Sequence, residues 1–381
     1  MNIMNPNLFE ELNIKQKLHP KFLNLRDNPS FKNEKEQLEK WFDGFVDRDN
    51  NMASDFQKDF HPYLWEIYLF AVFKNMGYEI DFSYNRPDFI LKNKPNIMVE
   101  ATISNIKQGG IQENTRDLSN ILNMFTHPLL QPNFDYELKE AITRYASSIL
   151  AKKNMYHKYL KCDWVTPENP YVIALGSYAQ VDYGRDYIYG IMALLYGLYF
   201  IPEDNDFTPK RSIIKNESTA KIDLGIFFDE SYTDVSAVIF STTTTMGKLT
   251  ATVASHNQDY NEKLVYNFYR DFLDENEPYK VSLISPESQE ALTDGLFVFH
   301  NPNTKNPLPL ETFHGPGITQ YYCENVTLKR IGNLNPTIAR ISITRNNTPE
   351  HEQFINLFER RIEESLFTYN SIPKNFLNKL V

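Results

Sequence analysis

The sequence predicts an α/β (α+β) fold: a central mixed sheet flanked by helices, with an N-terminal helical extension and a C-terminal α/β extension. Three observations point there. Two segments carry apolar residues at helical spacing, and short extended runs lie between them. A continuous apolar run, YVIALGS from Tyr171, has the character of a central strand. The 381 residues are 41% hydrophobic, enough to fill a large core.

The elements follow in order. The first 30 residues are mixed and punctuated by proline. Leu38, Trp41, Phe42, Phe45 and Val46 then recur at helical spacing and predict an amphipathic helix near 31–47. A polar break, Asp47 to Ser54, ends it. Pro62 suits the first turn of the next helix. Its apolar stripe is Trp65, Leu69, Val72, Phe73 and Met76, and Gly77 is a good stop. Three extended segments come next, Tyr78–Phe82, Asp88–Leu91 and Ile97–Ile103, separated by turn residues. They predict a three-strand meander. A second long helix spans about 136–158, with Leu138, Ile142, Tyr145 and Ile149 as its buried stripe.

Beyond YVIALGS the pattern predicts a helix near 185–199 and a loop rich in Asp and Pro. The strand-like runs KIDLGIFF, SAVIFST, GLFVFH and RISIT follow. A capped helix closes the chain, with Thr348 as N-cap and Pro349 in the first turn. The expected division is an N-terminal helical extension over 1–53, a core over 54–200, and an α/β extension packing on it over 201–381.

Composition excludes some function classes. The net charge of −10 is a poor match to sequence-blind coating of nucleic acid. Two cysteines, Cys162 and Cys323, form neither a disulfide framework nor a zinc set, which suits a reducing cytosol. The N-terminus lacks the basic start and apolar run of a signal peptide. The densest apolar segment, Ile188 to Phe200, falls short of a membrane span of roughly 18 residues. The expected location is cytoplasmic, with no membrane partner.

The chemistry concentrates in the meander. Pro87-Asp88 opens its second strand, and Val99-Glu100-Ala101-Thr102 lies in the third. Antiparallel neighbours joined by a short turn bring Asp88 and Glu100 side by side. Alternation puts Glu100 and Thr102 on one face. Two carboxylates at a sheet edge, with a backbone carbonyl nearby, make a hard oxygen site of the kind Mg²⁺ prefers.

This arrangement resembles the PD-(D/E)XK nuclease superfamily, which orders its elements in the same way and follows a Pro-Asp with Glu-x-Lys. The resemblance covers about residues 60–176. A subgroup of bacterial proteins is similar over a longer stretch, with a Glu-Ala-(Thr/Val) motif, a helix like RYASSILAKK before a strand like PYVIAL, and a later HNPNTKNPLP-like loop. The resemblance implies a restriction-endonuclease-like fold. It implies Asp88, Glu100 and the Ala101 carbonyl as ligands of Mg²⁺ (or Mn²⁺), and Glu66 on the first helix as a supporting acid.

At the superfamily's Lys position this chain has Thr102, which carries no charge. Some members move the Lys to the following helix. There Arg144, Ser148 and Lys152 recur every four residues, with Ser147 beside them. Lys152 is the first candidate for the migrated Lys, with Lys153 and Lys107 behind it. Arg144 and Ser147 are candidate substrate contacts.

The implied function is a Mg²⁺-dependent nuclease, in bacterial defence or DNA processing. Nucleic acid, DNA first, is the expected partner, and a homodimer is left open. The alternative is a degenerate nuclease fold that binds nucleic acid or a protein without cutting.

Other features read as structural. His300-Asn301-Pro302 and His314 fit a hydrogen-bonded, Pro-rich loop. The run Thr242 to Thr245 lacks the glycine spacing of a phosphate loop and reads as a strand running into a hairpin. Tyr187, Tyr189, Tyr196 and Tyr199 read as core.

Overall fold

The computed structural model describes residues 7–10, 12, 17–106, 109, 124–178, 187–346 and 348–372. Lys107, one of the weaker lysine candidates, lies outside them. The chain opens with helices α1 (Pro20–Asp27), α2 (Lys32–Phe42), α3 (Met52–Lys58) and α4 (Phe60–Asn75). Strands β1 (Phe89–Leu91) and β2 (Ile97–Asn105) follow, then the long helix α5 (Phe134–Tyr159) and strand β3 (Tyr171–Tyr178). Helix α6 (Tyr189–Tyr196) leads to two small hairpins, β4 (Leu198–Ile201) with β5 (Asp206–Pro209) and β6 (Ser212–Ile214) with β7 (Lys221–Asp223). The remainder is β8 (Ala237–Ser241), α7 (Met246–His256), β9 (Lys263–Arg270), β10 (Tyr279–Leu283), β11 (Leu296–His300), β12 (Ile318–Glu324), β13 (Thr327–Gly332), β14 (Thr337–Thr344) and α8 (Pro349–Ser371).

The largest sheet among the described residues is mixed and has seven strands, ordered β1-β2-β3-β8-β11-β12-β13. Strands β2, β3 and β8 run parallel, as do β11 and β12. The other pairings are antiparallel. Helices flank it, as the sequence predicts. A separate antiparallel sheet has the order β10-β9-β14.

Every residue of β3 is buried, because both faces of the sheet are covered. Tyr171, Ile173 and Leu175 point into one apolar cluster with Leu138, Ile142 and Tyr145 of α5. Val172 and Ala174 point into the other, with Leu64, Trp65 and Phe73 of α4. Burying a Leu- or Ile-sized side chain contributes about 1.5–3 kcal/mol, so this two-sided core supplies the main drive for folding. Helix α4 is buried over most of its circumference. Its Trp65 indole N–H donates to the Ala174 carbonyl at 3.0 Å. Gly176 permits that approach, because a Cβ there would lie 3.1 Å from the Trp65 ring.

Several expectations are corrected. The helix expected over 31–47 stops at Phe42, and Gly44 beyond it turns the chain at φ 86°. The first meander strand, Tyr78–Phe82, is reduced to a single bridge between Ile80 and Leu91. The helix expected to reach 199 ends at Tyr196, since Gly197 adopts φ 72° and caps it. The next residues, LYFI, pair with β5 instead. Of KIDLGIFF only Lys221–Asp223 is strand, and Ile226–Phe228 forms a 3₁₀ turn. The threonine run does not enter a hairpin. It carries β8 into α7, where the Thr245 hydroxyl caps the helix at Gly247 N, 3.2 Å. No helix among the described residues is long and apolar enough to cross a membrane.

Candidate active site

The register of the short hairpin builds the site. Phe89 pairs with Val99, so Asp88 arrives opposite Glu100 where β1 has not yet begun. The free edge of β2 is filled by the Asp88 side chain. Its Oδ2 accepts a hydrogen bond from Ala101 N at 2.7 Å. A strand residue directs its N–H and C=O to the same side, so the Ala101 carbonyl points to this edge as well. Arg48, just past α2, holds the approach to Asp88: it donates to the carbonyls of Tyr84, Pro87 and Asp88, the last two at 3.0 Å.

Glu100 faces the other way, toward α5, and is 4% exposed. Its Oε1 accepts from Lys152 Nζ at 2.8 Å, and its Oε2 accepts from the Tyr159 hydroxyl at 2.9 Å. Lys152 Nζ also lies 4.0 Å from Asp88 Oδ2. Ser148, one turn before Lys152, donates to the Ile103 carbonyl at 3.0 Å, so this stripe of α5 runs along β2. Thr102, two residues beyond Glu100 on the same strand, is half-buried on the Glu100 face.

Glu66 on α4 completes an electrostatic cluster with Asp88, Glu100, Lys152 and Arg48. Burial pushes the Glu66 carboxyl well up from its ordinary range, and the Asp88 charge pushes the same way. Asp88 is also raised, by burial and then by the Glu100 charge, against the pull of Lys152, the Ala101 N–H and Arg48. Burial alone would lower the Lys152 ammonium. The Glu100 and Asp88 carboxylates outweigh it and hold the group above its ordinary value. The Tyr159 hydroxyl is raised by burial and by Glu100. Among the described residues, no three His, Cys, Asp or Glu side chains converge as a metal cage. Mg²⁺ asks for less, one or two carboxylates with waters completing the shell.

Thus Glu66, Asp88, Glu100 and Lys152 come together, from α4, the β1 approach, β2 and α5. Arg144 and Ser147 do not join them. Arg144 is half-buried with its Nε unpartnered, and Ser147 is exposed with its hydroxyl bonded to the Thr143 carbonyl at 3.0 Å. Lys153 sits with its ammonium 4.5 Å from the centre of the Tyr232 ring. Arg48 and Tyr159 were not found from sequence. Tyr159 lies seven residues beyond Lys152, two turns along the same face, and that spacing was the available signal. Arg48 contacts backbone carbonyls, which leave no mark in a sequence.

The remaining motifs are structural. His300 Nε2 is 2.8 Å from Gln320 Oε1, and the Asn301 amide donates to the Tyr232 and Val235 carbonyls. His314 is exposed. Tyr187, Tyr189, Tyr196 and Tyr199 are all buried. No protein-family model, curated protein or solved structure matches the chain.

Proposed function

We propose that this chain is a restriction-endonuclease-like phosphodiesterase of the PD-(D/E)XK type, hydrolysing nucleic acid, DNA first, with Mg²⁺ or Mn²⁺. One observation carries the reading: Lys152 stands 2.8 Å from Glu100 and 4.0 Å from Asp88, a cation beside the strand-borne carboxylates of a site whose strand position is Thr102. The donor set fits the metal. Asp88 and Glu100 offer hard carboxylate oxygens, and the Ala101 carbonyl faces the same edge as Asp88. Burial first, and then neighbouring carboxylate charge, raises the Asp88 and Glu66 carboxyls, and a divalent cation would favour their charged forms.

When bound, the metal supplies an acidified water and charge neutralisation at the phosphoryl group. Asp88, Glu100 and the Ala101 carbonyl would hold it. The Lys152 ammonium, kept charged by its neighbours, is placed to stabilise negative charge growing on the phosphoryl oxygens as water attacks. Tyr159 fixes the Glu100 carboxylate from the side opposite Lys152. Glu66 can hold a proton beside the pair.

A second reading, a nuclease fold that binds nucleic acid without cutting, is favoured by a different observation. Both Glu100 oxygens are engaged, by Lys152 and Tyr159, so a metal would have to share or displace one of them. Single-turnover incubation of DNA and RNA with Mn²⁺, Mg²⁺ or EDTA separates the two. The nuclease reading expects metal-dependent cleavage that disappears in Glu100→Ala and Lys152→Ala. Binding without cleavage under every metal condition overturns it in favour of the second.

A further inference from the structure

At the far end of the large sheet, five strands from β2, a small cavity lies between that sheet and the end of the β10-β9-β14 sheet. Its walls include Arg270 at the end of β9, Arg330 on β13, and the aromatic rings of Tyr187, Phe272, Tyr279 and Tyr321. Arg270 is 3% exposed. One of its terminal nitrogens donates to the carbonyls of Asp271 and Pro278, but its Nε has no partner. The Nε of Arg330 has none either. Both guanidiniums border the same ring: Arg330 stands 3.3 Å and Arg270 4.9 Å from the centre of Phe272.

Two arginines sharing one cavity is costly unless something offsets their charge. Burial lowers Arg270 from its ordinary value, and the Arg330 charge lowers it further. Among the described residues no carboxylate forms an ion pair with either. Contact with aromatic faces offsets part of the cost, about 0.5–2 kcal/mol per contact, but the Nε–H of each arginine is left without a partner. Guanidinium N–H donors left free in this way suit a tetrahedral or carboxylate oxyanion. The cavity volume is about 30 Å³, roughly what two waters require. That favours a small polar group over a large ligand.

We propose that this cavity is an oxyanion site in which Arg270 and Arg330 grip one phosphate-type group, with the Tyr187 and Tyr321 hydroxyls lining it. The assignment stands apart from the carboxylate site at the other end of the sheet. The same chemistry is presented by free inorganic phosphate and by the terminal phosphate of a nucleic acid strand.

Calorimetric titration of the full chain with inorganic phosphate at constant ionic strength tests it. Wild-type protein is expected to give a saturable heat that chloride does not reproduce. Arg330→Lys keeps the charge and removes the fork, and should weaken phosphate by about tenfold or more. Arg270→Gln should weaken it at least as much, and circular dichroism checks that this buried variant folds. If it does not, Arg330→Lys decides alone. Lys152→Ala should leave the phosphate heat intact, because that lysine belongs to the other site. A 5′-phosphorylated oligonucleotide that competes with phosphate where its 5′-hydroxyl counterpart does not assigns the site to strand ends. Failure of both to compete assigns it to a free oxyanion. No saturable heat in wild type, or the same affinity in Arg330→Lys, overturns the proposal and leaves the arginines as purely structural groups held by the rings and their present hydrogen bonds.

Discussion

Lys152 and Glu100 meet at 2.8 Å although 52 positions separate them in the chain. The helix brings the cation down onto a strand whose own residue at the equivalent place, Thr102, has no charge. The pair is asymmetric in burial, with the lysine side chain 25% and the glutamate 5% exposed. Removing the lysine therefore costs more than losing a surface ion pair would, because the buried Glu100 carboxyl is left with only the Tyr159 hydroxyl as a partner.

Lys152→Met should destabilise the fold by about 1–3 kcal/mol, short of the full cost of an unpaired buried charge because the lysine is partly solvated. It should also lower single-turnover cleavage by about 100-fold or more. Glu100→Gln added to Lys152→Met should recover part of the stability but none of the cleavage, since the orphaned charge is then gone. Urea denaturation of the four proteins of this cycle measures the first effect. A double variant no more stable than Lys152→Met would show that the pair is not energetically coupled.

Glu100→Gln alone should abolish Mn²⁺ binding. The amide keeps the shape of the carboxylate but brings a donor N–H toward a cation and removes the negative charge. Calorimetric titration of Mn²⁺ into wild type and variant reads this directly. Equal affinity in both would remove Glu100 from the ligand set. Asp88→Asn should weaken Mn²⁺ as well, and additionally loosen the edge, since Asp88 Oδ2 accepts the Ala101 N–H.

Why Asp88, Glu100 and Lys152 were legible is a matter of range. Asp88 and Glu100 sit on two short runs joined by a tight turn, so register alone brings them together. Lys152 is legible because the family resemblance allows the lysine to move to the following helix, where Arg144, Ser148 and Lys152 recur at helical spacing, yet only Lys152 reaches the carboxylates. Arg144, two turns earlier, makes no hydrogen bond or ion pair among the described residues. Periodicity placed the stripe but could not say which of its members lies beside Glu100. The β10-β9-β14 sheet was largely missed because KLVYNFYR mixes charged and apolar residues without clean alternation. Its burial depends on β14 and α8, which lie far along the chain. LYFI after Gly197 looked helical by composition. The left-handed turn at that glycine ended the helix instead, and pairing with β5 settled the strand.

The crossing of α5 and α6 offers a test of the core that does not touch the site. A Cβ added at Gly190 would lie 2.9 Å from the Tyr145 ring and 3.5 Å from the Ala141 Cβ. Tyr145 cannot move aside freely, because it is fully buried and its hydroxyl shares a 2.7 Å hydrogen bond with Ser177. Gly190→Ala should therefore cost about 1–3 kcal/mol, the usual range for overpacking, despite the higher helix propensity of alanine. Chemical denaturation checks it. A variant as stable as wild type would mean that the helices can separate without loss.

The last prediction concerns pH. His127 is 2% exposed, and its Nδ1 accepts a hydrogen bond from Leu129 N at 3.1 Å, capping the 3₁₀ turn Pro128–Leu130. Its ring lies 4.6 Å from that of Tyr369. Burial lowers its pKa to about 4 from 6.5. The sign follows from which state binds the proton. Between these values the unfolded chain carries a protonated His127 and the folded chain does not, so the unfolded state binds more protons and stability rises with pH. Conversely, stability falls as pH drops from 6.5 toward 4, by about 3 kcal/mol from this group once both values are passed. Protonation has a local consequence too, since a charged ring presents an N–H where the Leu129 N–H needs an acceptor. His127→Asn keeps an N-cap acceptor and removes the titration. Folding free energies of wild type and His127→Asn, measured across pH 4 to 7, should therefore converge as the pH falls, because only the wild type loses this contribution. Other acids titrate in the same range in both proteins, so the difference between the two curves isolates His127. Parallel curves over that whole range would show that the histidine is not held neutral by burial.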